Sequence, residues 1–175
     1  MARNYTIARY SQNWRRRFRV QEWLLKKILG SAALAVHHIG STAVKGMSGK
    51  PIVDILVIVK DFSVVDRART RFEKMGYVFR SNYVKPNSRL LEKFRGETKL
   101  YNIHFFKKSH EHAIRFMDLR DYLRAHPDAV KKYEALKRTL KKKYPNDYRS
   151  YSRGKEKFVD MLARRAKVWR AMGGI

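Results

Sequence analysis

The apolar residues Trp14, Phe18, Leu25, Ile28 and Leu29 recur near helical spacing, which predicts a first helix from Gln12 to Leu29 with Gly30 as its stop. A short apolar run from Leu34 to Ile39 reads as a strand, and a glycine-punctuated loop runs from Gly40 to Pro51. Ile52 to Val59 is apolar and β-branched apart from Asp54, the pattern of a central strand. Val64 to Met75 has helical spacing ended by Gly76, and Tyr77 to Tyr83 reads as a strand. Leu90 to Phe94 and Lys99 to Phe106 look like a hairpin pair around Arg95 to Thr98.

After Lys108 the β-branched runs give way to helical periodicity. His110 to Ala125 is the next expected helix, with Ile114, Met117 and Leu123 among its inward candidates. Pro127 suits the first position of the following helix. There Val130, Tyr133, Leu136 and Leu140 make one stripe while Lys131, Lys132, Arg138 and Lys141 to Lys143 face out, and Tyr144 and Pro145 end it. The last helix runs from about Tyr151 to Met172, with Phe158, Leu162 and Trp169 inward and Arg164, Arg165, Lys167 and Arg170 largely outward. The pattern is α+β: a mixed β-sheet flanked by helices, with a helical C-terminal portion. It divides residues 1–175, read as a single domain, into an N-terminal helix (1–30), a sheet core with its loop (31–106) and the C-terminal helices (107–175).

Composition adds one strong constraint. With 175 residues, 44% of them apolar, the chain is long and apolar enough to bury a core. Yet 41 Lys and Arg against 15 Asp and Glu leave a formal charge of +26, far beyond what solubility asks of a small domain. Residues 1–30, 31–106 and 107–175 contribute +7, +7 and +12, so the basicity is spread over packed elements and is no detached tail. A polyanionic partner such as RNA or a ribonucleoprotein surface is implied; the competing reading is a charge-rich surface from a basic proteome. The absence of Cys excludes disulfides, thiolate nucleophiles and thiolate zinc sites. No apolar run is long enough for a signal peptide or a membrane span, so a cytoplasmic location without a membrane partner is expected.

The candidate chemistry lies in the loop and the strand after it. A turn beginning Gly40-Ser41-Thr42 can point backbone N–H groups and two hydroxyls at one phosphate, because glycine lets an anion approach closely. Gly46, Ser48 and Gly49 keep the loop small, and Lys45 and Lys50 can neutralise phosphate oxygens. A carboxylate in an apolar strand is costly unless paired or metal-bound. Asp54 is therefore either a Mg²⁺ ligand, or the partner of Lys50 or an arginine, or a strand-end acid that reaches water.

The stretch HIGSTAVKGMSGKPIVDILV, together with FMDLRDYLRAHPDAVKKYEALKRTLKKKYPNDYRSY, resembles the GrpB family, which is assigned to the nucleotidyltransferase superfamily. The resemblance runs from the Trp14 helix to about Phe158. It implies a nucleotidyltransferase-like mixed sheet in which a Gly-Ser loop binds the triphosphate of a nucleoside triphosphate and the next strand bears the metal carboxylate. Carried over by position, Gly40, Ser41 and Thr42 would hold phosphate, Lys50 would neutralise it, and Asp54 would bind Mg²⁺ as a catalytic residue. Lys45 stands where the family commonly has proline and adds a phosphate-seeking charge. The superfamily usually has two acids in an Asp-x-Asp pair and a third on a later strand; here Leu56 stands in the second place. His104, in LYNIHFF, resembles a family histidine at the third place, as a metal ligand or a proton-transfer group; the alternative is a half-buried strand histidine satisfied by a hydrogen bond.

Other candidates carry less. His37 and His38 are strand neighbours, so only one can face the site. His110 and His112 diverge around a helix start and make a poor metal pair. Asp118, Arg120, Asp121 and Arg124 resemble the family's second motif, either as ligand contacts or as a helix with local ion pairs docked beneath the site. Lys85, Arg89, Lys93 and Arg95 on the hairpin are candidates for the cleft mouth, with solvated charge as the default.

Three functions are consistent with these residues. One is a Mg²⁺-dependent nucleotidyltransferase moving a nucleotide from a nucleoside triphosphate to an acceptor, with RNA suggested by the charge. Another is a noncatalytic nucleic-acid or ribonucleoprotein binder with a degenerate nucleotidyltransferase fold. The third is a transferase acting on a small metabolite.

Overall fold

The computed structural model describes residues 5–81 and 87–174. A five-stranded mixed sheet is built from β1 (Ala33–Ile39), β2 (Val53–Val59), β3 (Tyr77–Ser81), β4 (Arg89–Arg95) and β5 (Thr98–Lys107), in spatial order β1-β2-β5-β4-β3. Only β2 and β5 run parallel; the other neighbours are antiparallel. The expected strands Leu34–Ile39 and Ile52–Val59 and the hairpin are all present, to within a residue or two. Tyr77 to Ser81 is strand as expected, while Tyr83 and Lys85 lie outside the described residues.

The helices are α1 (Gln12–Leu29), α2 (Phe62–Arg67), α3 (Arg69–Lys74), α4 (Glu111–Ala125), α5 (Pro127–Lys143) and α6 (Tyr148–Ala171). The segment expected as one helix over Val64 to Met75 is two short helices meeting at Ala68. Its start is set by Asp61, whose carboxylate accepts from the Ser63 amide at 2.7 Å. The last helix begins three residues earlier than the apolar stripe suggests, because Asp147 caps it through the Ser150 amide.

Alternation divides the sheet into two faces. Val53, Ile55, Val57, Ile103 and Phe105 point to one side and form the main core with α1, α2 and α3. Leu56, Ile58 and Phe106 point to the other and pack on α4 through Ala113, Phe116 and Met117. Burial on both sides explains why β2 is apolar along its length except at Asp54. Helices α4, α5 and α6 build a further core among themselves, and Val44 and Met47 of the loop between β1 and β2 are embedded in it.

Two outward or inward assignments change. Ile114 is 44% exposed, because Ala113, Phe116 and Met117 take the sheet-facing stripe and Ile114 falls off it. Arg170 turns back onto α4, where it pairs with Asp118 at 3.1 Å and Asp121 at 2.8 Å.

The segment before α1 is tied to the β1–β2 loop and to the end of α5. Ala8 and Gly49 exchange backbone hydrogen bonds of 2.8 and 3.0 Å, and the Tyr5 hydroxyl donates to the Tyr144 carbonyl at 2.7 Å.

Candidate functional site

The turn between β1 and β2 is built around an approach that only glycine permits. Gly40 has φ 72° and ψ −173°, a region essentially closed to side chains. A β-carbon on it would lie 2.8 Å from Asp54 Oδ2. The next residues, Ser41 to Ala43, make one 3-10 turn, with Ala43 N–H donating to the Gly40 carbonyl at 3.1 Å. Gly49 lies against Ser41 so closely that a β-carbon there would meet the Ser41 Cβ at 3.0 Å. The two ends of the loop are thus folded together over the start of β2.

A pocket of about 200 Å³ opens at this place. Ser41, Thr42, Lys50 and Asp54 line it, so these four expected site residues come together. Asn102, Lys137, Tyr148, Tyr151 and Lys155 line it too, beside Ile7, Gly49 and Ile52, and none of these is an expected site residue. Asn102 sits beside Asp54 in the parallel register and its Nδ2 donates to Asp54 Oδ1 at 2.8 Å. Lys50 Nζ lies 3.7 Å from the centre of the Tyr148 ring. Burial would raise the Tyr148 phenol, but the Lys50 charge and hydrogen bond bring it below its ordinary value. Lys155 is held below the usual lysine range by burial, against the pull of Tyr148 and with Lys50 adding repulsion. Lys137, only 2% exposed, pairs with Glu134 and donates to the Ser48 carbonyl. With Lys137 matched by Glu134, the pocket sets Lys50 and Lys155 against the one carboxylate of Asp54, an arrangement that favours an anion.

His104 stands apart from this group. The register pairs it with Leu56, one pleat beyond Asp54 and Asn102, and it does not line the pocket. Its ring packs on Phe116 with centroids 5.5 Å apart, its Nδ1 has no hydrogen-bond partner among the described residues, and burial lowers its pKa. The position level with Asp54 on the later strand is Asn102. Lys45 also departs from expectation: it is exposed and lines a second, larger cleft on the opposite side of the turn. Two loop residues, Ala43 and Val44, lie between Thr42 and Lys45, and the embedding of Val44 beneath the turn sends Lys45 the other way. Neither His37 nor His38 lines the Asp54 pocket. His38 Nε2 lies 2.9 Å from Thr42 Oγ1, and burial with Arg124 and Arg120 nearby pushes its pKa down to about 4.

The second motif supports the turn from behind. Arg124 donates through Nε and Nη2 to the Ala43 carbonyl at 3.1 and 2.9 Å, and Arg120 donates to the His38 carbonyl at 3.3 Å. Asp121 accepts from Arg120 at 2.7 and 3.0 Å, which orients that guanidinium. These residues hold the turn's backbone and do not reach the pocket.

The hairpin cations face elsewhere. Arg89 pairs with Asp66 at 2.7 Å and covers Phe62, and Lys93 lies over Tyr77; both are on the α2–α3 side of the sheet. On the Asp54 side β4 offers instead Glu92, 3% exposed and paired with Arg80 at 2.6 Å and with Lys99. Glu92 is in register with Asn102, and its alternation with Leu91 and Lys93 was the available signal for it.

This mixed sheet, with its Gly-Ser turn feeding a carboxylate-bearing strand, is a nucleotidyltransferase-like fold. The Cid1 poly(U) polymerase structure with Mg 3′-dATP bound superposes with a TM-score of 0.53 at 14% identity, covering 83% of this chain and 49% of that one. The chain belongs to the GrpB family: the sequence profile described as GrpB protein matches residues 4–165. The crystal structure of conserved protein GrpB from Enterococcus faecalis matches with a TM-score of 0.87 at 30% identity, over 94% of this chain and 99% of that one. In sequence, the glutamate-rich protein GrpB of Alkalihalophilus pseudofirmus is 35% identical over 160 residues, 89% of this chain and 92% of the relative. YqkA of Bacillus subtilis is 30% identical over 168 residues, 96% of this chain but 49% of YqkA, so the chain spans about half the length of that relative. Among the described residues no helix is long and apolar enough to cross a membrane.

Proposed function

We propose that the Asp54 pocket binds a nucleoside triphosphate and that the protein transfers its nucleotidyl group to an acceptor hydroxyl, with RNA the acceptor that a charge of +26 favours. The carrying observation is the close approach of Gly40 to Asp54, which sets that carboxylate in the wall of a pocket also lined by Ser41, Lys50 and Lys155. Ser41 and the turn amides suit phosphate oxygens, and Lys50 and Lys155 supply charge that would otherwise have to come from metal. In the reaction the acceptor oxygen bonds to the α-phosphorus, pyrophosphate leaves, and the acceptor proton is released. The chain's contribution is to position and neutralise the triphosphate.

The donor set does not fit a resident two-metal centre. Leu56, wholly buried, occupies the second acid's place, Asn102 replaces a third acid beside Asp54, and no three metal-ligating side chains gather among the described residues. One Mg²⁺ that arrives with the nucleotide fits better, because that ion keeps waters and phosphate oxygens and asks one carboxylate of the protein, here Asp54. Bound there, it would neutralise phosphate charge.

The replacement of two acids favours a second reading, a nucleotide-binding RNA binder without turnover. The two separate on one experiment. Incorporation of an α-labelled nucleotide into RNA with Mg²⁺ or Mn²⁺, lost in Asp54→Ala, supports transfer. Nucleotide binding without incorporation supports the binder, and no nucleotide binding removes both.

A further inference from the structure

On the other side of the Gly40–Val44 turn a cleft of about 860 Å³ lies between α1, the edge strand β1, and helices α4 and α5. Six cationic side chains line it, Arg15, Arg19, Lys45, Arg120, Arg124 and Lys131, against one acid, Glu22. Glu22 is itself paired with Lys26 at 2.7 Å. Arg15 and Arg19 project from successive turns of α1, exposed and with no hydrogen-bond or ion-pair partner among the described residues. Arg120 and Arg124 are fixed by the turn carbonyls and share Asp121, and Lys131 pairs with Asp128 at 3.4 Å, so the uncompensated charge is that of Arg15, Arg19 and Lys45.

The wall between these charges is aromatic. Phe18 stacks on His38 with ring centroids 5.0 Å apart and planes within 9°. Tyr10 lies alongside, and burial and nearby arginines lower the pKa of both His37 and His38. A cationic rim over flat uncharged rings suits a strand whose phosphates are exposed and whose bases are unstacked. A duplex presents paired bases and a convex backbone, and could use the rim alone.

We propose that this cleft seats a single-stranded nucleic acid, with its phosphates on Arg15, Arg19 and Lys45 and its bases against Tyr10 and Phe18, the latter backed by the buried His38. Thr42 lines both this cleft and the Asp54 pocket, so a strand lying here ends at the turn that faces the nucleotide. That delivery role rests on reading the Asp54 pocket as a nucleotide site; the strand-binding role does not.

The test is fluorescence anisotropy of labelled oligo(U), oligo(dT) and a duplex of equal length, at ~50 and ~200 mM salt. The wild-type chain is expected to bind the single strands more tightly than the duplex. Arg15→Glu with Arg19→Glu should weaken single-strand binding by about tenfold or more and flatten its salt dependence. Arg164→Glu with Arg165→Glu, an equal charge change on the exposed side of α6, should weaken it about twofold at most. Equal losses in both double variants, no loss in the first, or preference for the duplex overturns the proposal. The oligo(U) and oligo(dT) arms show whether RNA or DNA is the occupant. Binding of a fluorescent nucleoside triphosphate, measured in parallel, keeps the two sites apart. Nucleotide binding without selective strand loss sinks this proposal alone, and selective strand loss without nucleotide binding sinks only the nucleotide reading.

Discussion

Gly40 and Asp54 touch across the turn, with no room between the glycine Cα and the carboxylate for one added carbon. The strand acid is therefore fixed by the loop that precedes it. Gly40→Ala combines that clash with a backbone conformation closed to alanine, and should cost about 1–3 kcal/mol of stability. It should also weaken nucleotide binding roughly tenfold or more by displacing the carboxylate. Thermal unfolding and nucleotide titration read the two effects separately; an alanine variant with native affinity would show that the contact is incidental.

Lys155 separates stability from binding. It is desolvated and has only partial electrostatic compensation, so Lys155→Met should leave the fold as stable or more so. The same change removes a charge-assisted contact to phosphate worth about 1.5–3 kcal/mol. Calorimetric titration with a nucleoside triphosphate should show the loss while the melting temperature holds or rises.

Arg124 donates two hydrogen bonds to the Ala43 carbonyl, and its planar guanidinium is what allows both. Arg124→Ala should destabilise by about 1–3 kcal/mol, and Arg124→Lys should recover only part of it. Hydrogen exchange at the amides of residues 41–44 is the direct readout, expected to accelerate in both variants.

His38 is neutral in the fold, with a pKa pushed down to about 4 from an ordinary 6.5. The unfolded chain binds that proton first, so stability is full above about pH 6.5 and falls as pH drops toward about 4. The slope from such a group is up to about 1.4 kcal/mol per pH unit. His37 and His104, also lowered by burial, add to it in the same direction. Denaturant melts from pH 7 to 5 should steepen accordingly, and His38→Gln should flatten the curve.

The elements were legible in the sequence wherever period and punctuation agreed. Helix α1 is found at its expected bounds, and the β2 pattern of buried residues broken by one acid marked both the strand and the place of its carboxylate. The break at Ala68 had no such mark, since it lacks glycine or proline. Around the pocket, legibility followed chain distance. Ser41, Lys50 and Asp54 lie on one stretch of fourteen residues and were readable together. Lys137 and Lys155 come from helices far along the chain, among many similar lysines, and only tertiary packing selects them. His104 and Asn102 show the finer limit: they lie on the same face two residues apart, and only the register between β2 and β5 decides which one stands beside Asp54.

The pairing of Ala8 with Gly49, with Ile7 in the pocket lining, makes the stretch before α1 a structural wall. A fragment beginning at α1 would keep every strand of the sheet and still lose the brace on the β1–β2 loop. Its failure to hold a nucleotide would report on the missing wall, and a shortened chain is therefore the wrong reagent for judging whether this protein is active.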